Sequence, residues 1–129
     1  MFYSERLPSA PRSPAAARRV VERLEPEVDA MTLANLRLLV SELVTNAIEH
    51  VDGEAEIELD VGLEDGRVHV EVRDSGSGFE FTPRQPGDPR GSGWGLHFVA
   101  RLTDRWGTDA THGTRVWFEM PARVPAHQA

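Results

Sequence analysis

Between Leu36 and Val51 the apolar residues recur with a helical period: Leu36, Leu39, Val40, Leu43, Val44, Ala47, Ile48 and Val51 fall at i, i+3, i+4, i+7 and onward. That repeat predicts a helix with one broad buried face. Thr32 reads as its N-cap and Asp52-Gly53 as its close. Glu42, Asn46 and His50 follow one another at intervals of four along a border of the face, so they stack over successive turns. On a helix taken alone such a row is ordinarily solvated.

Before this helix, residues 1–12 mix Phe2, Tyr3 and Leu7 with Pro8 and Pro11, which predicts a short edge strand and an extended linker. Ser13-Pro14 reads as an N-cap with proline at the first helical position. Val20, Val21 and Leu24 give the helix that follows a narrow apolar stripe, and Pro26 ends it. Arg18, Arg19 and Arg23 occupy its polar side, either as a solvated face or as a basic docking surface.

After Gly53 the period changes to two. Ala55, Ile57, Leu59 and Val61 alternate with Glu54, Glu56, Glu58 and Asp60, the pattern of a half-buried strand. Glu64-Asp65-Gly66 supplies a hairpin turn, and Val68, Val70 and Val72 alternate with Arg67, His69, Glu71 and Arg73 in the partner strand. Acidic residues on one strand then face basic ones on the other, with His69 among these surface pairs. Residues 80–90 carry three prolines and predict an irregular loop of the kind that serves as a lid. Phe98, Val99 and Leu102 predict another helix, ended by Trp106 and Gly107. Thr108 to Thr111 and Thr114 to Met120 pair as a second hairpin around His112-Gly113, with Val116, Phe118 and Met120 inward and a frayed tail from Pro121.

Composition narrows the function. A chain of 129 residues suits one domain spanning 1–129. The charge of −7, from 21 acidic and 14 basic residues, argues against a nucleic-acid footprint. All 14 basic residues are arginine, which excludes a P-loop because that site needs its lysine. Cysteine is absent, so disulfides and thiolate metal sites are excluded. No apolar run is long enough for a bilayer and the N-terminus lacks a signal pattern, so a soluble, cytoplasmic protein without membrane partners is expected.

Asp74 falls where a buried strand ends and is followed by Gly76 and Gly78, leaving bare backbone beside a carboxylate. An ionised Asp accepts hydrogen bonds only and suits a ligand with an N–H donor, such as the exocyclic amine of adenine; the alternative is a turn capped by an Asx interaction. Gly91, Gly93 and Gly95 precede a helix and offer N–H groups and a helix dipole to an anion. They do not follow a strand and open a βαβ unit, which disfavours a dinucleotide fold. Taken together, Asp74 holds a base, Gly91 to Gly95 wrap phosphates, Asn46 ligates Mg²⁺ and Glu42 faces the terminal phosphate as a base or orienting group.

In that order and at those separations, ELVTNAIEH, VRDSGSGF, GSGWGL and GTRVWFEM resemble the GHKL or Bergerat ATP-binding fold of DNA gyrase and histidine kinases. The chain most resembles the small stand-alone anti-sigma-factor serine/threonine kinases of bacteria, from about Leu7 to Met120. The resemblance implies an α+β two-layer sandwich, a mixed or antiparallel sheet covered on one face by helices. It implies ATP and Mg²⁺, Glu42 as catalytic glutamate, Asn46 as magnesium ligand, Asp74 as adenine-binding aspartate with Gly76 and Gly78 shaping the pocket, and Thr114 near the adenine. Gly93 and Gly95 match the phosphate-loop glycines, within a loop whose Arg90, Gly91, Trp94 and Leu96 also border the nucleotide. Related kinases often carry an arginine two residues before the GxG, where this chain has Gly91 with Arg90 adjacent. For His50 a packing or hydrogen-bonding role is expected.

The leading expectation is therefore an ATP-dependent kinase that sequesters a sigma factor and phosphorylates an anti-anti-sigma (STAS-type) partner, with homodimerisation implied by the resemblance alone. A nucleotide- or partner-binding module without phosphoryl transfer is the alternative, motivated by Gly91. The catalytic part of a sensor histidine kinase ranks third, since no phosphoacceptor-histidine helix precedes the domain in this sequence.

Overall fold

The computed structural model describes residues 1–50, 56–74, 95–110 and 113–123, and for His50 and Gly95 the backbone only. Among the described residues five strands, β1 (Phe2–Pro8), β2 (Glu56–Glu64), β3 (Arg67–Asp74), β4 (Arg105–Asp109) and β5 (Thr114–Pro121), form one sheet in the order β1-β2-β3-β5-β4. Every neighbouring pair is antiparallel, which settles the mixed-or-antiparallel alternative. Helices α1 (Ser13–Glu22), α2 (Ala30–His50) and α3 (Gly95–Leu102) make the second layer. No helix among the described residues is long and apolar enough to cross a membrane.

Period-two patterning explains the burial. Leu7 of β1, Ile57, Leu59 and Val61 of β2, Val68, Val70 and Val72 of β3, and Val116, Phe118 and Met120 of β5 all point inward and are buried. Against them lie Val20, Val21 and Leu24 from α1 and its end, and Leu36, Leu39, Val40, Leu43 and Val44 from α2. Each such side chain contributes about 1.5–3 kcal/mol on burial. The hairpin joining β2 to β3 turns at Asp65 and Gly66, with φ of 52° and 73°, as Asp-Gly predicts.

Several boundaries differ from the sequence reading. Asp29, not Thr32, starts the long helix: its Oδ1 accepts the Thr32 N–H at 2.8 Å, and Thr32 lies buried in the first turn. Arg12 occupies the N-cap of α1, and the Ser13 hydroxyl donates to the Pro8 carbonyl instead of capping. The helix α1 ends at Glu22, before Pro26, which sits in a 3-10 turn at Glu25–Glu27. Arg18 donates to Ser41 Oγ at 2.8 Å, and Arg23 lies over the Tyr3 ring and 3.5 Å from Glu5, so two of the three arginines are engaged within the chain. Trp106 and Gly107 belong to β4; α3 stops at Leu102, where the Thr103 hydroxyl donates to Val99 O at 2.7 Å. The start of the tail is held: Pro121 ends β5, and Ala122 is buried, donates to Gly66 O and accepts from Asp29 N–H, while residues 124–129 lie outside the described residues. Asp52-Gly53 and the 80–90 loop lie outside the described residues.

The face of the sheet away from the helices carries three polar rows in cross-strand register. One runs Phe2, Gly62, His69, Glu119, Arg105; the next Ser4, Asp60, Glu71, Trp117, Gly107; the third Arg6, Glu58, Arg73, Arg115, Asp109. Arg73 reaches Glu58, Asp60 and Glu71 at 2.9–3.0 Å, and Arg115 reaches Glu71 at 2.8 Å. The expected acid–base pairing across β2 and β3 is thus present.

Candidate functional site

Glu42 and Asn46 stand one helical turn apart on α2. Asn46 is buried, while Glu42, at the border of the buried face, is half-buried. Burial, reinforced by the charge of Glu49, raises the Glu42 carboxyl above its ordinary range. Glu49 is a contributor that the sequence reading missed, although its spacing of seven from Glu42 places both on one helix face.

Asp74 is the last residue of β3, buried among the strand ends, with Ile57 of β2 on one side and Thr114 of β5 on the other. The Thr114 Oγ1 is buried and makes no hydrogen bond to any of the described residues. Leu96, in the first turn of α3, is also buried. The helix α2 packs against both β3 and α3, so the helix with Glu42 and Asn46 contacts the strand ended by Asp74 and the helix begun by Gly95. Gly76, Gly78, Arg90, Gly91, Gly93 and Trp94 lie outside the described residues, as does the side chain of His50.

The donor set suits a nucleotide. A hydroxyl both donates and accepts, so the orphaned Thr114 Oγ1 beside Asp74 matches a base edge bearing an N–H and a ring nitrogen. Among the described residues no group of three or more His, Asp or Glu stands ready to hold a metal unaided. A magnesium ion here would take the Asn46 carboxamide oxygen together with phosphate and water oxygens, and would neutralise phosphate charge.

Known proteins point the same way. Residues 7–120 match the family model described as the histidine kinase-like ATPase domain. The chain is 34% identical over 139 residues to the sensor histidine kinase component HK1 of Mycobacterium tuberculosis, covering 93% of this chain and 82% of that protein. It is 43% identical over 61 residues to the anti-sigma F factor of Geobacillus thermodenitrificans, covering 45% of this chain and 40% of that one. Among solved structures, the RsbU and RsbW domains of a Mycobacterium tuberculosis protein superpose with a TM-score of 0.69 at 22% identity, over 98% of this chain and 35% of that chain. The catalytic domain of the histidine kinase ThkA superposes with a TM-score of 0.61 at 21% identity, over 95% of this chain and 97% of that one. With the family model spanning nearly the whole sheet and its helices, this chain belongs to the histidine kinase-like ATPase domain family.

Proposed function

We propose that this chain is an ATP-dependent anti-sigma-factor serine/threonine kinase. It holds a sigma factor and phosphorylates a Ser or Thr of a STAS-type anti-anti-sigma partner. The observation that carries the reading is the Glu42–Asn46 pair on α2, a carboxylate of raised basicity one turn from a buried carboxamide. A base works best when its affinity for protons lies near the operating pH, and partial burial moves Glu42 in that direction. The hydroxyl oxygen of the partner forms the new bond to the γ-phosphorus, ADP leaves, and Glu42 takes the hydroxyl proton. Asp74 and Thr114 hold the adenine, and the 91–96 segment holds the phosphates. The resemblance to anti-sigma F factors over 45% of the chain supports the choice of partner. In the test, purified protein and Mg-ATP are incubated with the STAS-type proteins of the source genome. An acid-stable phosphoprotein is expected, and its formation is lost in Glu42→Ala; transfer by Glu42→Ala at the wild-type rate refutes the role.

A second reading is favoured by one observation, the match to HK1 over 82% of that protein. In it the same site serves as the ATP-binding component of a histidine kinase and the acceptor is an imidazole. Phosphohistidine is acid-labile and phosphoserine is not, so acid treatment of the labelled partner separates the two.

A further inference from the structure

The two glycines on the outer sheet face meet different fates. At Gly107 the Trp117 indole fills the space, and an added Cβ would lie 2.7 Å from its Nε1. Above Gly62 an added Cβ would meet only the edge of the Phe2 ring, at 3.4 Å, and one backbone oxygen. A hollow of about 690 Å³ opens there, lined by Phe2, Gly62, His69, Arg105 and Glu119, which form one cross-strand row, and by residues of the β2–β3 turn. The volume lies within the range of about 300–1,000 Å³ that small-molecule sites occupy.

We infer that this hollow binds an uncharged planar heteroaromatic molecule that carries an N–H donor and a ring-nitrogen acceptor. Phe2 and His69 flank Gly62 on the two neighbouring strands, and the Phe2 ring edge leans over Gly62. A third ring lying over this row can stack on the open face of Phe2 or on His69. His69 is held for that role: one face stacks on Trp117 with centroids 5.9 Å apart, and Nδ1 lies 3.0 Å from Glu119 Oε2. Phe2 is 66% exposed, so its ring face is open to a partner.

The rim offers both donors and acceptors. Arg67 is bound to Asp104 at 2.6 Å, but its Nε–H is buried with no hydrogen-bond partner among the described residues; Arg105 faces Glu119 at 3.6 Å, and the Met1 ammonium donates to Leu63 O. Glu64 and Asp65 add two further carboxylates to the lining. A rim of both signs gives no advantage to a net charge, whereas an N–H on the ring finds carboxylate acceptors and a ring nitrogen can accept from the Arg67 Nε–H. The hollow is distinct from the candidate nucleotide site: His69 and Asp74 are five residues apart along β3, about 16 Å. Asp74, moreover, is buried at the strand end, while His69 is on the open face.

Benzimidazole and 1-methylbenzimidazole present one ring with and without its N–H and serve as probes for NMR titration of the full chain. Saturable amide shifts at Phe2, Gly62, Leu63 and His69 are expected with benzimidazole, unchanged by Mg-ATP and at least tenfold weaker with 1-methylbenzimidazole. Gly62→Leu fills the hollow and weakens benzimidazole at least tenfold; Phe2→Ala, which leaves the strand interior untouched, weakens it independently should the first variant misfold. Four outcomes overturn the inference: no shifts, shifts confined to the surroundings of Asp74, equal binding of both probes, or shifts at these residues that grow with protein concentration alone, which would assign the hollow to a second copy of the chain.

Discussion

Asp74 and Thr114 sit directly opposite each other where β3 ends and β5 begins, both buried, and among the described residues the threonine hydroxyl has no hydrogen-bond partner. A buried hydroxyl left unpaired costs on the order of 1–3 kcal/mol, and a fold bears that cost where a ligand completes the bond. Thr114→Val keeps the shape and removes the orphan. The nucleotide-free protein is therefore expected to gain roughly 1 kcal/mol of stability while its ATP affinity falls. Thermal melting and calorimetry on the same variant check the two opposite signs; a variant that melts lower and binds ATP unchanged assigns Thr114 to structure alone.

Glu42 supplies a pH signature. Burial first, and Glu49 second, raise its carboxyl above the ordinary 4.5, so the folded chain holds this proton more tightly than the unfolded chain. The stability owed to Glu42 is then greatest below the unfolded value and is lost as pH rises through the raised folded value. Glu42→Gln removes that loss and is expected to be more stable than wild type at neutral pH, with a flatter pH dependence, while phosphoryl transfer falls by at least 100-fold, the lower end for a general base. Glu49→Gln is expected to shift the acid limb of the transfer rate to lower pH without abolishing it. Denaturant titrations and rate profiles between pH 4 and 8 provide the readout.

Much of this fold was legible because single residues carried unambiguous signals. The 3.6 period from Leu36 onward marks α2, and Asp65-Gly66 marks the hairpin through positive φ that few other pairs adopt. The spacing of four puts Glu42 and Asn46 one turn apart on α2 whatever surrounds the helix. What escaped depends on tertiary context. Asp29 outcompetes Thr32 as cap because the Asp29 N–H is tied to Ala122 O, a contact spanning almost the whole chain. Trp106-Gly107 reads as a helix stop, yet Gly107 is a strand residue whose missing side chain makes room for Trp117, ten positions on. The higher proton affinity of Glu42 comes first from burial, which its sequence neighbours do not show, whereas the smaller share from Glu49 follows from a spacing of seven.

Glu71 holds two like charges together. Arg73 and Arg115 lie directly opposite each other on β3 and β5, an arrangement that repels, and both reach the Glu71 carboxylate. Burial pushes the Glu71 carboxyl up, but the Arg115 hydrogen bond and charge, the Arg73 charge and a His69 hydrogen bond outweigh it and hold the group below its ordinary 4.5. Its stabilisation is therefore complete above the unfolded value and lost as pH falls through the lowered folded value. Glu71→Gln is expected to cost about 2 kcal/mol at pH 7 and much less at pH 3, since a partly buried pair broken on one side leaves charge uncompensated. Equal losses at both pH values would assign the effect to packing instead.

Gly107→Ala tests the packing of the outer face with one methyl group. The new Cβ would stand 2.7 Å from Trp117 Nε1 and 2.9 Å from Cε2, both ring atoms with little freedom to yield. The indole must therefore tilt, and its stack on His69 loosens with it. Overpacking of this kind costs about 1–3 kcal/mol, and the expected loss lies in that range, with altered tryptophan emission as the local reporter. ATP binding should remain intact, because β4 lies at the sheet edge and Asp74 is on β3, separated from it by β5. A fall in ATP affinity matching the fall in stability would mean that the outer face and the nucleotide site are mechanically joined through β5, whose Thr114 and Trp117 serve one side each.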